Sequence, residues 1–229
     1  MLFHRHHRGL WLGFLILSFG AGCATAPKRD ERAITSDEAR AWLGKYCSKG
    51  PRSLVGGLVF QAKTREFKGQ HPGSLRFEEK GGFTLEVTHI LGGTLMRLSS
   101  DGKTFSIETP TRPALNRKDE VKYLGIELPI LRGLLLGDLP CPFPALNPEP
   151  IEVEGPTIRL RSGPWLWVFS RAEVEGERVP FEVELRPVTG GAPVFVLKIE
   201  TWDRESGYAK KVRLTTPEGE LKWIWRSRS

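Results

Sequence analysis

From Leu54 to the end of the chain, apolar and polar residues alternate with a period of two, in one segment after another. The first block reads "LVGGLVFQA", "SLRFEE", "GFTLEVTHI", "TLMRLSS" and "TFSIET". The second reads "IEVE", "TIRLRS", "WLWVFSRAEV", "VPFEVELRPV", "PVFVLKIETWD", "AKKVRLTT" and "LKWIWRS". Successive side chains of a strand point to opposite faces, so each run presents one face that must be covered. In "GFTLEVTHI", Phe83, Leu85, Val87 and His89 share one face, and Thr84, Glu86 and Thr88 share the other. The 25 glycines and 17 prolines punctuate these runs, as in a strand-rich fold. "SSDGKT" supplies an Asp-Gly hairpin signal. About eleven or twelve strands follow from this reading, and an antiparallel sheet of that many must curl or split.

Helical signals are few. Thr35 and Glu38 form a T-x-x-E capping box ahead of "SDEARAWLGKYC". That segment places Ala39, Trp42, Leu43 and Tyr46 on one face. "LPILRGLLLGDLP" has Pro129 at a helix start and Gly137 at a helix end, with Leu131, Leu134, Leu135 and Leu136 between them. "LNRKDEVKYLG" is compatible with a short helix, whereas the four prolines of "CPFPALNPEP" exclude regular structure. The predicted fold is mainly β with some helix. A strongly curved antiparallel sheet of about 11 strands forms an incomplete barrel, and helices cover its concave hydrophobic side. Any space that they leave is an apolar cavity.

The first 22 residues read as a signal segment. "MLFHRHHRG" is basic, "LWLGFLILSFG" is apolar but shorter than the roughly 20 residues of a membrane span, and "GAGC" ends on Cys23. The arrangement resembles a bacterial lipoprotein signal, whose cysteine is acylated and becomes the new N-terminus. Gly20 stands where such signals usually carry leucine. The alternatives are an ordinary secretory signal or an uncleaved anchor. His4, His6 and His7 fall inside this basic start and are read as part of it. Residues 23–33 then form a polar tether, and residues 34–229 a single domain. With Cys23 lipidated, Cys47 and Cys141 remain as an even pair that can close a disulfide in an oxidising compartment. Two separate buried thiols are the other option.

The formal charge of +7 falls to +5 once Arg5 and Arg8 are removed, too diffuse for nucleic-acid binding. Beyond the signal, only His71 and His89 remain as histidines. No metal-ligand spacing, nucleophile elbow or phosphate loop is present, and the acids Asp101, Asp138 and Asp203 fall beside turn signals. No cofactor and no enzymatic activity are expected. Trp165 and Trp167 share a face of one strand, and Trp223 and Trp225 a face of another. On a curved sheet such an inner face serves both as core and as cavity lining.

One short stretch stands apart. In "THILGGT" a hairpin is expected between two strands, and Gly92 and Gly93 suit it. Ile90 and Leu91 are large apolar residues beside a turn, where water is the default neighbour.

Taken together, these parts resemble the LolB family, the outer-membrane receptors of lipoprotein localisation, and more distantly its LolA-like periplasmic carrier relatives. The resemblance rests on the lipoprotein signal, the N-terminal helix, "GFTLEVTHILGGTLMRLSSDGKTFSIET" and "LGIELPILRGLLLGDLP". It covers most of residues 23 to 140. Two features depart from the family: Ile90 replaces its proline before the loop leucine, and the leucine-rich helix is shorter and carries no tryptophan. The resemblance implies a half-open barrel whose hydrophobic cavity holds acyl chains of another lipoprotein. Trp42, Phe83, Leu85, Val87, Leu131, Leu134 and Leu135 would serve as cavity and lid residues.

The resemblance further implies that Ile90, Leu91 and Gly92 form a membrane-insertion loop, with Leu91 dipping into the lipid interface. Its structural alternative is that Ile90 and Leu91 fold back as core. The implied protein is a monomer, anchored through Cys23 to the periplasmic face of the outer membrane, and supplied by a periplasmic carrier. Ala24 after the lipid-bearing cysteine favours the outer membrane. The alternative functions are a structural envelope lipoprotein using the same fold as a scaffold, and an envelope hydrolase with a polar cleft.

Overall fold

The computed structural model describes residues 28–47, 53–65, 67–79, 81–139, 152–174, 176–203 and 208–229. Cys23, Cys141 and the whole signal segment lie outside the described residues.

The N-terminal part opens with β1 (Lys28–Arg29) and helix α1 (Ser36–Cys47). A meander follows: β2 (Leu54–Lys63), β3 (Lys68–Phe77), β4 (Phe83–Thr88), β5 (Thr94–Ser100) and β6 (Phe105–Glu108). Short pieces come next: β7 (Arg117–Glu120), β8 (Lys122–Tyr123), β9 (Ile126–Glu127) and helix α2 (Leu128–Leu136). The second half contains β10 (Glu152–Glu154), β11 (Thr157–Ser162), β12 (Trp165–Val174) and β13 (Glu177–Pro187). It ends with β14 (Phe195–Asp203), β15 (Tyr208–Thr216) and β16 (Gly219–Arg228). Sixteen strands are therefore present among the described residues. Twelve have four residues or more; β10, within "IEVE", has three, and β1, β8 and β9 are two-residue pairings too short to leave a period-two signal.

The main sheet is antiparallel and runs β10-β11-β12-β13-β14-β15-β16-β2-β3-β4-β5-β6-β7, with β1 beside β12 and β8 paired with β9 apart from it. The sheet does not close on itself: β10 and β7 are its two ends. The two halves of the chain meet where the last strand pairs with the first long one, placing Trp223 opposite Phe60 and Trp225 opposite Leu58. That link joins residues far apart in sequence, and every other long strand pairs with its chain neighbour.

Turn chemistry sets the hairpins. Asp101 Oδ1 accepts the backbone N–H groups of Lys103 at 2.8 Å and Thr104 at 2.9 Å, with Gly102 at φ 94°. The side chain thereby closes the β5–β6 turn. Helix α1 starts as its box predicts. The Thr35 N–H donates to Glu38 Oε2 at 2.8 Å, and the Glu38 N–H donates to Thr35 Oγ1 at 3.3 Å. Helix α2 ends at Gly137, whose φ of 76° is left-handed and whose N–H reaches the Gly133 and Leu134 carbonyls.

The segment 115–125 is not a helix. It begins on a 3-10 turn at Pro113–Leu115, then holds β7 and β8. The Asn116 side chain accepts the Thr109 N–H at 2.7 Å and its hydroxyl at 3.0 Å, which pins the chain beside β6. Asp119 and Leu124 adopt positive φ of 54° and 52°, so a continuous right-handed helix is broken. The tether predicted for residues 23–33 is fastened from Lys28 onward: Lys28 and Arg29 pair with Glu173 and Ala172.

The long strands bury one face, β3 only at its Leu75 and Phe77 end, and these residues form a single apolar cluster with both helices. Trp42 sits edge-on to Phe169, its centroid 6.5 Å away, and Tyr46 meets Trp202 at 5.7 Å. From α2, Leu128, Leu131, Leu134, Leu135 and Leu136 join the same core.

Candidate functional site

The predicted cavity and lid residues come together. Trp42, Phe83, Leu85, Val87, Leu131, Leu134 and Leu135 are all buried in the shared cluster. Alternation along β4 puts Phe83, Leu85 and Val87 inward, and a register shift after Val87 releases the chain into its loop. His89 is thereby outside the strand, contrary to a simple continuation of the period.

Ile90 and Leu91 do not fold back. Ile90 is 73% exposed and Leu91 88%. The loop beneath them is hydrogen-bonded: the His89 N–H donates to the Gly93 carbonyl and the Gly92 N–H to the His89 carbonyl, both at 2.9 Å. The Leu91 N–H donates to His89 Nδ1 at 3.2 Å. Gly92 and Gly93 have φ of 96° and 86°, which glycine supplies without strain. The result is a shaped turn that holds two apolar side chains in water. Behind it, rings lead back into the core, His89 to His71 at 5.6 Å and His71 to Phe67 at 5.2 Å.

Two charged clusters escaped sequence reasoning. Asp30 is buried where the chain joins the fold. Its carboxylate lies 3.4 Å from the guanidinium groups of Arg171 and Arg178 and accepts the Arg32 backbone N–H at 3.1 Å. Burial raises the Asp30 pKa, but the Arg32 hydrogen bond and the Arg171 charge outweigh it and hold the group below the ordinary aspartate value. Arg171, also buried, donates to the Arg32 carbonyl at 2.9 Å, while the Asp30 N–H donates to the Arg171 carbonyl at 2.9 Å. The available signal was Arg171 itself, a cation two residues beyond the apolar run Trp165–Phe169 of β12.

The second cluster lies on the opposite, outward side of the sheet. Glu200 receives Lys211 and Lys222 at 3.0 Å and Arg213 at 2.6 Å. Burial raises its pKa, yet the hydrogen bonds from Lys211, Lys222 and Arg213 prevail and bring it to about 2. A 180 Å³ hollow beside it is lined by Val59, Gln61, Gln70, Lys211, Lys222 and Ile224. A larger one of 540 Å³ follows the chain from Lys28 to Arg32. Charged and polar residues make up most of the lining of both.

Cys47 is disulfide-bonded, and both other cysteines of the chain, Cys23 and Cys141, lie outside the described residues. No group of three or more metal-ligating side chains occurs among the described residues, and none of their helices is long and apolar enough to cross a membrane.

No family model matches this chain, and no curated protein does. Among solved structures, it is similar to a LolA superfamily protein from Nitrosomonas europaea, with 8% identity and a TM-score of 0.49, over 86% of this chain and 94% of that one. It is also similar to a domain named for outer membrane lipoprotein sorting from Vibrio parahaemolyticus, at 11% identity, TM-score 0.39, and 86% and 91% coverage. A DUF1329 family protein from Desulfovibrio piger aligns at 8% identity, TM-score 0.43, over 84% and 90%. At such scores these likenesses carry no functional weight, and the chain's own geometry must do so.

Proposed function

We propose that this protein is a lipid-anchored envelope component that binds the acyl chains of other lipoproteins and helps insert them into the outer membrane. In this reading Cys23 carries the anchor, the sheet is an incomplete barrel, and α1 and α2 cover its apolar inner side. The observation that carries the proposal is the Ile90–Leu91 tip, 73% and 88% exposed on a hydrogen-bonded turn. Water is a poor solvent for such a tip, and burying one such side chain is worth roughly 1.5 to 3 kcal/mol. That suffices to orient the molecule on hydrocarbon, while the acyl anchor holds it there. No bond is made or broken in this cycle, so no catalytic residue is needed. Cys141 is the partner that this reading gives Cys47, because Cys23 is occupied by lipid.

Native mass spectrometry of gently extracted protein tests the proposal. Acyl chains should travel with it, and their absence at every extraction condition would defeat it. A structural scaffold is the second reading, favoured by the near-complete burial of the inner face among the described residues. It would leave the protein lipid-free apart from its own anchor.

A further inference from the structure

Trp223 and Trp225 stand on the inward face of β16, in the middle of the sheet. Trp223 is 0% exposed and Trp225 is 5% exposed, yet neither indole Nε1–H has a hydrogen-bond partner. Buried polar groups in folded proteins are paired in roughly nine cases out of ten. Here two donors lie two residues apart, on one face of one strand, and both are unpaired. His71 Nδ1 and Arg186 Nε are unpaired too, but those side chains are partly exposed.

Their partners across the sheet are apolar, and one cation, Arg228, faces Trp225. Trp223 lies between Val212 and Phe60 in the sheet, and Trp225 lies opposite Leu58. The Trp225 ring lies over the backbone of Gly56, where an added Cβ would be 2.5 Å from the ring. Arg228 faces the same ring at 5.1 Å and donates to the Leu136 carbonyl at 2.6 Å, at the end of α2. Trp225 is thus linked through Arg228 to the end of α2.

An indole N–H only donates, so its missing partner is an acceptor. A charged acceptor is costly in apolar surroundings; a neutral carbonyl carried on hydrocarbon is not. We propose that Trp223 and Trp225 form a polar anchor for the ester or amide carbonyl oxygens at the head of bound acyl chains. This rests on the acyl-binding reading above and specifies which part of the lipid is recognised.

Full-length protein extracted from membranes is compared with Trp223→Phe, Trp225→Phe and the double variant. Each keeps a ring and loses the N–H. Two probes are used: a tripalmitoylated cysteinyl peptide, rich in ester and amide carbonyls, and N-phenyl-1-naphthylamine, which has none. The double variant should stay folded, at an unfolding temperature lowered by the smaller rings, and bind the carbonyl-free probe as before. Its affinity for the lipopeptide should fall roughly tenfold. Unchanged lipopeptide affinity overturns the proposal, and so does equal weakening toward both probes, which would assign the indoles to packing. Failure of the unaltered protein to bind either probe would remove the acyl-binding reading itself, and the anchor with it.

Discussion

The amide N–H of Leu91 donates to Nδ1 of His89, so the most exposed large apolar side chain among the described residues sits on a turn braced by its own neighbour. Replacing Leu91 with Glu should leave stability within about 0.5 kcal/mol, since the side chain touches little of the fold. Contact with hydrocarbon should weaken by roughly 1.5 to 3 kcal/mol. Thermal unfolding and lipoprotein transfer to vesicles measure the two effects. Normal transfer by a well-folded variant would show that the tip is not a lipid contact.

The Asp30–Arg171 pair joins the start of the fold to β12 with both side chains out of water. Arg171→Met should cost about 3 kcal/mol, because it leaves a buried carboxylate short of a partner. Adding Asp30→Asn should recover part of that loss. Urea midpoints of the single and double variants decide: additive losses would mean that the two groups are not coupled.

Glu200 sets an acid limit. Its folded pKa of about 2 lies below the ordinary 4.5, so its contribution is fully present above pH 4.5 and disappears as pH falls through about 2. Allowing for the partly exposed Lys211 and Arg213, that contribution is about 2 kcal/mol. Glu200→Gln should flatten the stability profile between pH 4.5 and 2. An unchanged slope there would assign the acid sensitivity to other carboxylates.

Two glycines should respond in opposite directions to alanine. A Cβ at Gly56 would meet the Ser227 carbonyl and the Trp225 ring at 2.5 Å, so Gly56→Ala should destabilise by about 2 kcal/mol. Gly44 lies inside α1 with nothing within 4 Å, so Gly44→Ala should stabilise by about 0.5 to 1 kcal/mol. Calorimetric midpoints check both. A harmless Gly56→Ala would mean that Trp225 does not lie where it is placed.

Local chemistry was readable in the sequence wherever neighbours in the chain produce it. The Thr35–Glu38 box, the Asp101 turn and the Gly137 cap are all decided within a few residues, and each forms as its residues dictate. The inward positions Phe83, Leu85 and Val87 followed from strand parity alone. The pairing of β16 with β2 brings Trp223 to Phe60 across most of the chain, and no periodicity announces it. The burial of Asp30 was hidden for the same reason: its partners Arg171 and Arg178 are remote, and a short polar segment reads as solvated. For 115–125, helix-compatible composition lost to Asn116, which caps the neighbouring strand's turn instead.

Among the described residues the open sheet also has two unpaired rims, and both are guarded. The outermost strands are "RKDE" at Arg117–Glu120 and "EVE" at Glu152–Glu154, short and dense with charge. A further strand laid against either rim would bring its own backbone up to a row of ionised side chains, which disfavours edge-to-edge stacking. A sheet this long is thereby kept from polymerising with its own copies.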